Sequence, residues 1–538
     1  MKNDVAIREA HAGELHRVGT MESPLKRLRT ALTEPRVYGA IIVCIIAGVW
    51  LPALGKSFEI DETGTVWVIS GGLREIVHRS IHFPQSIAYC LIAWGAAQIG
   101  QVREVALRVP SVLAGIGAIL LLYKFVARMA NKATAALACL LWVLMPAVTG
   151  EATQARPYMF CAFATMASYG ALISWLESRS TRRLVWFAFL AALPAYFSYF
   201  LVLVPATQII YLIAASRDWN LRFRTVACLA TLVGFLELPL LYPALIAARD
   251  RHLHTFLTTP DPSSLVYAVI PNAIAYGLLA SIGLYLLLRI AWKYHPVEIP
   301  AKIWLLVSMW SAIPIIVLLT VSLFTPTKCF LERYFIESFA GLAIIYALLL
   351  RGFEPALMRI TATVATAVFA IGGLGPPPDF WHMKRFDFRD ASQFLSAYRR
   401  TNDLATFTHP WFAEGTHLPF PLSPEDESCL LAPFLAYPAG GHVSLLPQFE
   451  NSGTEGYVRT SRAFFETTTQ DFLMYGFSPN DLPQWLANTV QRRFDAEVLH
   501  TALDVPVVRF RLRMEHPSNP VTLSTTYDAD KPSRRLYE

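Results

Sequence analysis

The run EVALRVPSVLAGIGAILLLYKFVAR, residues 104–128, decides how the chain must be read. Its apolar centre approaches the length of about 20 residues that a helix needs to cross a bilayer. It ends on Lys124 and Arg128, with Lys132 just beyond. Basic residues at the end of an apolar run mark the cytoplasmic side, so residues 109–127 are read as a span that arrives there. Similar runs recur from Val37 to Gly375. Their basic connectors are Arg179, Arg182, Arg183; Arg217, Arg222, Arg224; Arg289, Lys293, Lys302; and Arg351, Arg359. Charged residues make up only 16% of the 538, and mean hydropathy is +0.40. A soluble domain carries about 25% charged residues, so a large cytosolic enzyme is excluded, as are disorder and fibrous repeats. The net charge of +6 sits largely in the connectors, which leaves no case for nucleic-acid binding.

Toward the N-terminus, residues 1–36 form a cytoplasmic segment, and residues 37–55 are a first span that reads as a retained signal anchor. That span exits outward and 109–127 must return inward, so one long outer loop joins them. Within it, residues 85–100 are too short to cross. Residues 62–79 set Val66, Ile69, Leu73, Ile76 and Val77 opposite Thr63, Ser70, Arg74 and His78. Both segments are expected as juxtamembrane helices. Toward the C-terminus, spans are expected at 133–149, 159–176, 184–198, 200–215, 225–247, 267–290, 303–324, 335–350 and 360–375. The whole is an α-helical polytopic membrane domain, residues 37–375, of about eleven spans, with the N-terminus inside and the C-terminus outside.

After Gly375, Pro376, Pro377 and Pro378 break the helix, and residues 376–538 become mixed charged and aromatic sequence. This is expected to be a separate extracytoplasmic domain. Helix-like stretches at 389–400, 461–474 and 481–494 alternate with β-like ones at 404–408 and 504–513, which favours an α/β class. Its segment Thr408-His409-Pro410-Trp411-Phe412 suits either sugar or acceptor contact or an aromatic core, and the domain is expected to help recognise an acceptor. Seven cysteines lack CxxC spacing. Cys329 and Cys429 share the outer side, where a disulfide is chemically permitted.

Ionisable groups near a bilayer are costly, so four polar clusters at the outer ends of spans are candidates for function. The first is Phe58-Glu59-Ile60-Asp61-Glu62, where Asp61 is either a helix N-cap or a functional carboxylate. Successive helical residues point about 100° apart, so only one of Asp61 and Glu62 can face a given pocket. The second, His82-Phe83-Pro84-Gln85-Ser86, opens the second juxtamembrane helix and also suits headgroup contact. The third, Gly150-Glu151-Ala152-Thr153-Gln154-Ala155-Arg156-Pro157-Tyr158, gathers a carboxylate, a guanidinium and a phenol, though Arg156 can equally snorkel to lipid phosphates. The fourth is Lys328-Cys329-Phe330-Leu331-Glu332-Arg333-Tyr334.

In this order, together with Glu104, Arg108, Pro110 and Ser111, the clusters resemble the GT-C class of membrane glycosyltransferases. They are most similar to its bacterial family 39 branch, which is related to the protein O-mannosyltransferases and the lipid A aminoarabinose transferase. The resemblance implies a hexosyl- or pentosyltransferase in the bacterial cytoplasmic (inner) membrane. Such an enzyme moves a sugar from a polyprenyl-phosphate donor to a cell-envelope acceptor (lipid, glycan or protein) with inversion. It places the catalytic base on Asp61, with Glu62 and Glu151 as further catalytic carboxylates. It places Arg156 and Arg333 on the donor phosphate, accompanied by His82, Tyr158, Lys328 and Tyr334. Some relatives depend on a divalent metal ion, for which Asp61 and Glu151 are the candidate ligands; no other cofactor is implied. The expected partners are the polyprenyl-phosphate sugar, the envelope acceptor and membrane lipid. The rival reading is a transporter or flippase of a lipid-linked envelope precursor. Transporters commonly carry internal repeats, and none stands out here.

Overall fold

The structure is a computed structural model that describes residues 35–82, 86–249, 259–261, 263–269, 272–287, 293–354, 356–372, 386–412 and 418–513. Helix α1 (Pro35–Ile45) starts on a proline whose missing N–H would be unpaired there anyway. It runs on through a wider turn, Ile46–Trp50, to Ala53. Pro52 lacks the N–H that Gly48 would receive, which accounts for the local widening. Three short helices follow: α2 (Ile60–Ile69), α3 (Leu73–His82) and α4 (Ile87–Gly100). The membrane bundle then comprises α5 (Glu104–Met129), α6 (Lys132–Val143), α7 (Pro146–Ala152), α8 (Tyr158–Ser178), α9 (Thr181–Phe197), α10 (Leu203–Ala214), α11 (Phe223–Glu237), α12 (Asn272–Leu287), α13 (Ala301–Phe324), α14 (Ser338–Arg351) and α15 (Ala356–Gly372).

Helix occupies each expected span over its described residues. Five described helices are long and apolar enough to cross a membrane, and α6 with α7 would make a sixth. The α6–α7 pair is not straight, as expected for 133–149, but bends by 73°. Pro146 forces the residue before it out of the helical region, and Met145 has ψ 124°. The tight turn expected near Ser198 is present: Ser198 is extended between α9 and a short 3-10 turn, Tyr199–Val202. Strands β1 (Lys293–Tyr294) and β2 (Phe353–Glu354) pair antiparallel, tying the connectors before α13 and after α14.

The expected juxtamembrane helix at 62–79 is corrected in two respects. It is broken at Ser70–Gly72, where a Cβ on Gly71 would lie 2.6 Å from that of Glu75. Nor does it lie on a surface with one face inward. Every residue of α2 from Glu62 to Ile69 is buried, Thr63 included, while Leu73 and Val77 are exposed. A one-face pattern assumes one partner; α2 has a second, because the C-terminal domain covers its other side.

That domain is α/β. Its sheet has the order β4-β3-β5-β7-β6, built from β3 (Ala405–Thr408), β4 (Ser444–Leu445), β5 (Phe472–Tyr475), β6 (Phe494–Ala502) and β7 (Val505–Leu512). β3 pairs parallel with β4 and β5, and β7 pairs antiparallel with β5 and β6. The helices are α16 (Phe388–Arg399), α17 (Pro424–Leu430), α18 (Ala432–Ala436), α19 (Glu455–Thr467) and α20 (Gln484–Arg493). The helix expected over 461–474 ends early. Phe472, Leu473, Met474 and Tyr475 form a central strand buried on both faces, whose continuous apolar run hides its alternation. Phe472 and Met474 enter one core with Val508 and Phe510, while Leu473 and Tyr475 enter the other with Val505 and Val507. The proline run after Gly375 lies outside the described residues. Cys329 and Cys429 are both buried.

Candidate functional site

The site forms where the first turn of α2 meets the α7–α8 loop and the 3-10 turn Glu332–Phe335 before α14. Glu59, not Asp61, caps α2: Glu59 and Glu62 exchange side-chain and backbone hydrogen bonds in a capping box. Asp61 is thereby free to face outward from the turn.

The two adjacent carboxylates then separate, as the helical turn requires. Glu62 is fully buried and paired bidentately with the equally buried Arg108 of α5, whose Nε and Nη2 donate at 2.7 and 2.6 Å. It also accepts the Ala155 N–H at 2.6 Å and the Glu59 N–H at 2.7 Å. Arg108 in turn donates to the carbonyls of Leu54, Lys56 and Ser57 at 2.9, 2.5 and 2.8 Å. This pair fastens the chain entering α2 to α5 and to the α7–α8 loop. Glu62, expected among the catalytic residues, lies out of contact with solvent.

Asp61 retains 31% of its side-chain exposure. Arg333 Nη1 donates to its Oδ2 at 2.5 Å, and Arg156 Nη2 lies 3.7 Å from the same oxygen. Arg156 also donates to the Asp61 carbonyl at 3.1 Å. Burial alone would push the Asp61 carboxyl up; the Arg156 and Arg333 charges outweigh it and hold the group below the ordinary carboxylate range. Each guanidinium keeps a buried Nε–H without an acceptor among the described residues. Arg156 lies over the Tyr158 ring at 5.7 Å and Arg333 over that of Tyr334 at 5.6 Å. Phe200 packs on Tyr334, with ring centroids 4.7 Å apart, bringing the α9–α10 turn to the site.

Four of the expected residues therefore converge around Asp61: Arg156, Tyr158, Arg333 and Tyr334. Glu151, in the last turn of α7, contributes to the negative field that helps keep Arg333 charged. Lys328 is engaged elsewhere, since its Nζ donates to the carbonyls of Ser322 and Thr325, at 2.7 and 3.1 Å, and closes the C-terminus of α13. His82 ends α3, and its side chain lies outside the described residues. Among the described residues no group of three or more His, Cys, Asp or Glu side chains is placed to hold a metal ion. Sequence reading gave Arg108 no role in the site, although a charge four residues into an apolar helix was a signal that it needed a buried partner.

Residues 84–246 match the family described as dolichyl-phosphate-mannose-protein mannosyltransferase. No curated protein matches the chain in sequence. In structure, it is similar to ArnT from Cupriavidus metallidurans in the apo state, at TM-score 0.53 and 12% identity, covering 88% of this chain and 98% of that one. It is similar to the same protein bound to undecaprenyl phosphate at TM-score 0.52 and 13% identity, with the same coverage. The chain thus has the fold of the GT-C membrane glycosyltransferases along most of its length, and resembles them in sequence over residues 84–246.

Proposed function

We propose that the chain is a membrane glycosyltransferase that moves a sugar from a polyprenyl-phosphate donor to a hydroxyl of a cell-envelope acceptor, with inversion. The observation that carries this reading is the convergence of Arg156 and Arg333 on Asp61, with a buried, unpaired Nε–H left on each guanidinium. Two such cations with spare donors suit a phosphate, which accepts several charge-assisted hydrogen bonds at once. The ArnT structure with undecaprenyl phosphate supports a lipid-phosphate ligand.

Asp61 and such an anion would share the same two guanidiniums. A carboxylate held so low is a weak base. When a donor phosphate draws Arg156 and Arg333 to itself, Asp61 loses its counter-charges and its proton affinity rises. The acceptor hydroxyl then gives its proton to Asp61 while its oxygen bonds to the anomeric carbon. The bond from that carbon to the phosphate oxygen breaks, its electron pair leaves with the phosphate, and the two arginines take up the growing charge. Tyr158 and Tyr334 back the guanidiniums, and Glu62 positions the turn that carries Asp61. Asp61 is engaged by Arg156 and Arg333 and belongs to no group of three metal-ligating side chains among the described residues, so these residues do not fit a divalent ion.

We place the protein in the bacterial cytoplasmic membrane, with the N-terminus inside and the C-terminal domain outside. The basic connectors lie at the end of the bundle away from Asp61, which supports this orientation. The test is transfer by purified protein from a panel of labelled polyprenyl-phosphate sugars to envelope extracts. Transfer lost in Asp61→Asn supports the reading. Movement of intact donor across a vesicle bilayer without sugar transfer would favour a flippase.

A further inference from the structure

The C-terminal domain holds α2, the helix whose first turn carries Asp61, at both ends. Before Asp61, the Tyr437 hydroxyl donates to Glu104 Oε1 at 2.5 Å and accepts the Phe58 N–H at 2.9 Å. The Tyr437 and Phe58 rings pack 5.9 Å apart. Arg389 adds an ion pair to Glu104 at 2.6 Å, a bond to the Gly55 carbonyl at 2.7 Å, and its backbone N–H to Ser57 Oγ at 3.2 Å. At the far end, Trp67 Nε1 donates to Ser428 Oγ at 2.9 Å. Arg79, stacked on Trp67 at 4.6 Å, lies 3.8 Å from Glu425.

Between these ends α18 lies against α2. The apolar core of the bundle continues without a break into Phe412, Cys429, Leu430, Ala432 and Leu445, and Ile60 packs onto the core of the C-terminal domain. A module that only gathers an acceptor needs a tether. Here instead one wall of the helix bearing the proposed base belongs to the domain.

We propose that the C-terminal domain is a clamp that sets the position of Asp61 against Arg333, with Tyr437 as its positioning residue. The proposal rests on the glycosyl-transfer reading and adds to it. Phe58 stands three residues before Asp61, and the Ser57–Phe58 peptide is held at its carbonyl by Arg108 and at its N–H by Tyr437. Loss of the hydroxyl frees the Phe58 N–H and leaves Glu104 with Arg389 alone. Asp61 then shifts with the turn.

The test uses full-length Tyr437→Phe in lipid nanodiscs, which keeps the ring and removes the hydroxyl. The expected result is a kcat lower by about 10- to 100-fold, the scale for a misplaced reacting group. KM for donor and acceptor should change by less than about twofold if binding is unaltered. The acid limb of kcat/KM should move to higher pH. Arg156 and Arg333 lower the Asp61 pKa while burial and the neighbouring Glu62 raise it, so distance from Arg333 raises it further. Amides of α2 should exchange hydrogen faster. An acceptor KM raised at unchanged kcat would make the domain a recognition module and overturn the clamp, as would a reduced kcat with an unmoved acid limb, the mark of mere loss of folded protein. Unchanged kcat with unchanged exchange would also overturn it. Should Tyr437→Phe not fold, Glu104→Gln, which retains an acceptor for Tyr437 and drops the charge facing Arg389, should give the same pattern in weaker form. A wild-type protein inactive with every donor would remove the transfer reading, whereas the exchange measurement still decides the clamp.

Discussion

Asp61 and Glu62 differ by one methylene and one position, and the helix sends them to opposite fates. Glu62 serves the architecture: Glu62→Ala strands the Arg108 charge inside the protein, a loss of about 3–5 kcal/mol for breaking a buried pair. Thermal unfolding should show it as a marked drop in Tm. Asp61→Asn should leave the fold intact and lower turnover by at least about 10², the lower scale for a general base. On the proposed reading Asp61 competes with the donor phosphate for Arg156 and Arg333, so the same substitution should tighten donor binding, measurable by titration with polyprenyl phosphate. Arg333→Ala should weaken that binding and slow transfer together. That Asp61, Arg156 and Arg333 share a site was expected from the resemblance to the GT-C class, which the polar clusters at the ends of apolar runs carry. The roles of Glu62 and Lys328 were not, since a buried fork to Arg108 and a helix-end contact depend on which elements meet.

At the scale of elements, the turn that follows β3 and the one that follows β5 lock together. Thr408 and Phe412 are buried, and Trp411 packs between Phe388, His409 and Tyr475, so of the two readings open for this segment the structure shows the aromatic core. Gly476 has φ +81°, and a Cβ there would lie 2.4 Å from Trp411. Gly476→Ala should therefore destabilise the domain by more than the roughly 1 kcal/mol of the left-handed backbone alone, which denaturant unfolding would record. Burial lowers the His409 pKa from its ordinary 6.5, against the opposing pull of the Pro410 and Gly476 backbone. A histidine kept neutral in the fold supports stability fully above that value, and the support is lost as pH falls below it. The domain should melt at lower temperature at pH 5.5 than at pH 7, and His409→Asn should flatten the difference. Periodicity marked β3 and β7, along which more and less buried positions largely alternate. It missed β5, whose two buried faces leave no alternation, and the break at Gly71, which divides an otherwise continuous helical pattern.

For the whole molecule, the basic connectors gave an alternation of helices that the fold accommodates, and the α/β class of the tail was readable from its mixed segments. The contact between the two parts was not readable, because hydropathy treats each segment as facing either lipid or water and has no symbol for a helix shared by two domains. Single cysteines at the exposed positions Ser70 and Gln101 should react with a membrane-impermeant thiol reagent in intact cells; reaction only after permeabilisation would invert the orientation. The core that runs from the bundle into Phe412, Cys429 and Leu430 also has a bearing on biosynthesis. Asp61, Arg156 and Arg333 leave the ribosome long before residues 386–513, yet one wall around α2 is made of those later residues. A nascent chain whose bundle helices are all in place still lacks one wall around α2, so on the proposed reading transfer begins only once the C-terminal domain has folded.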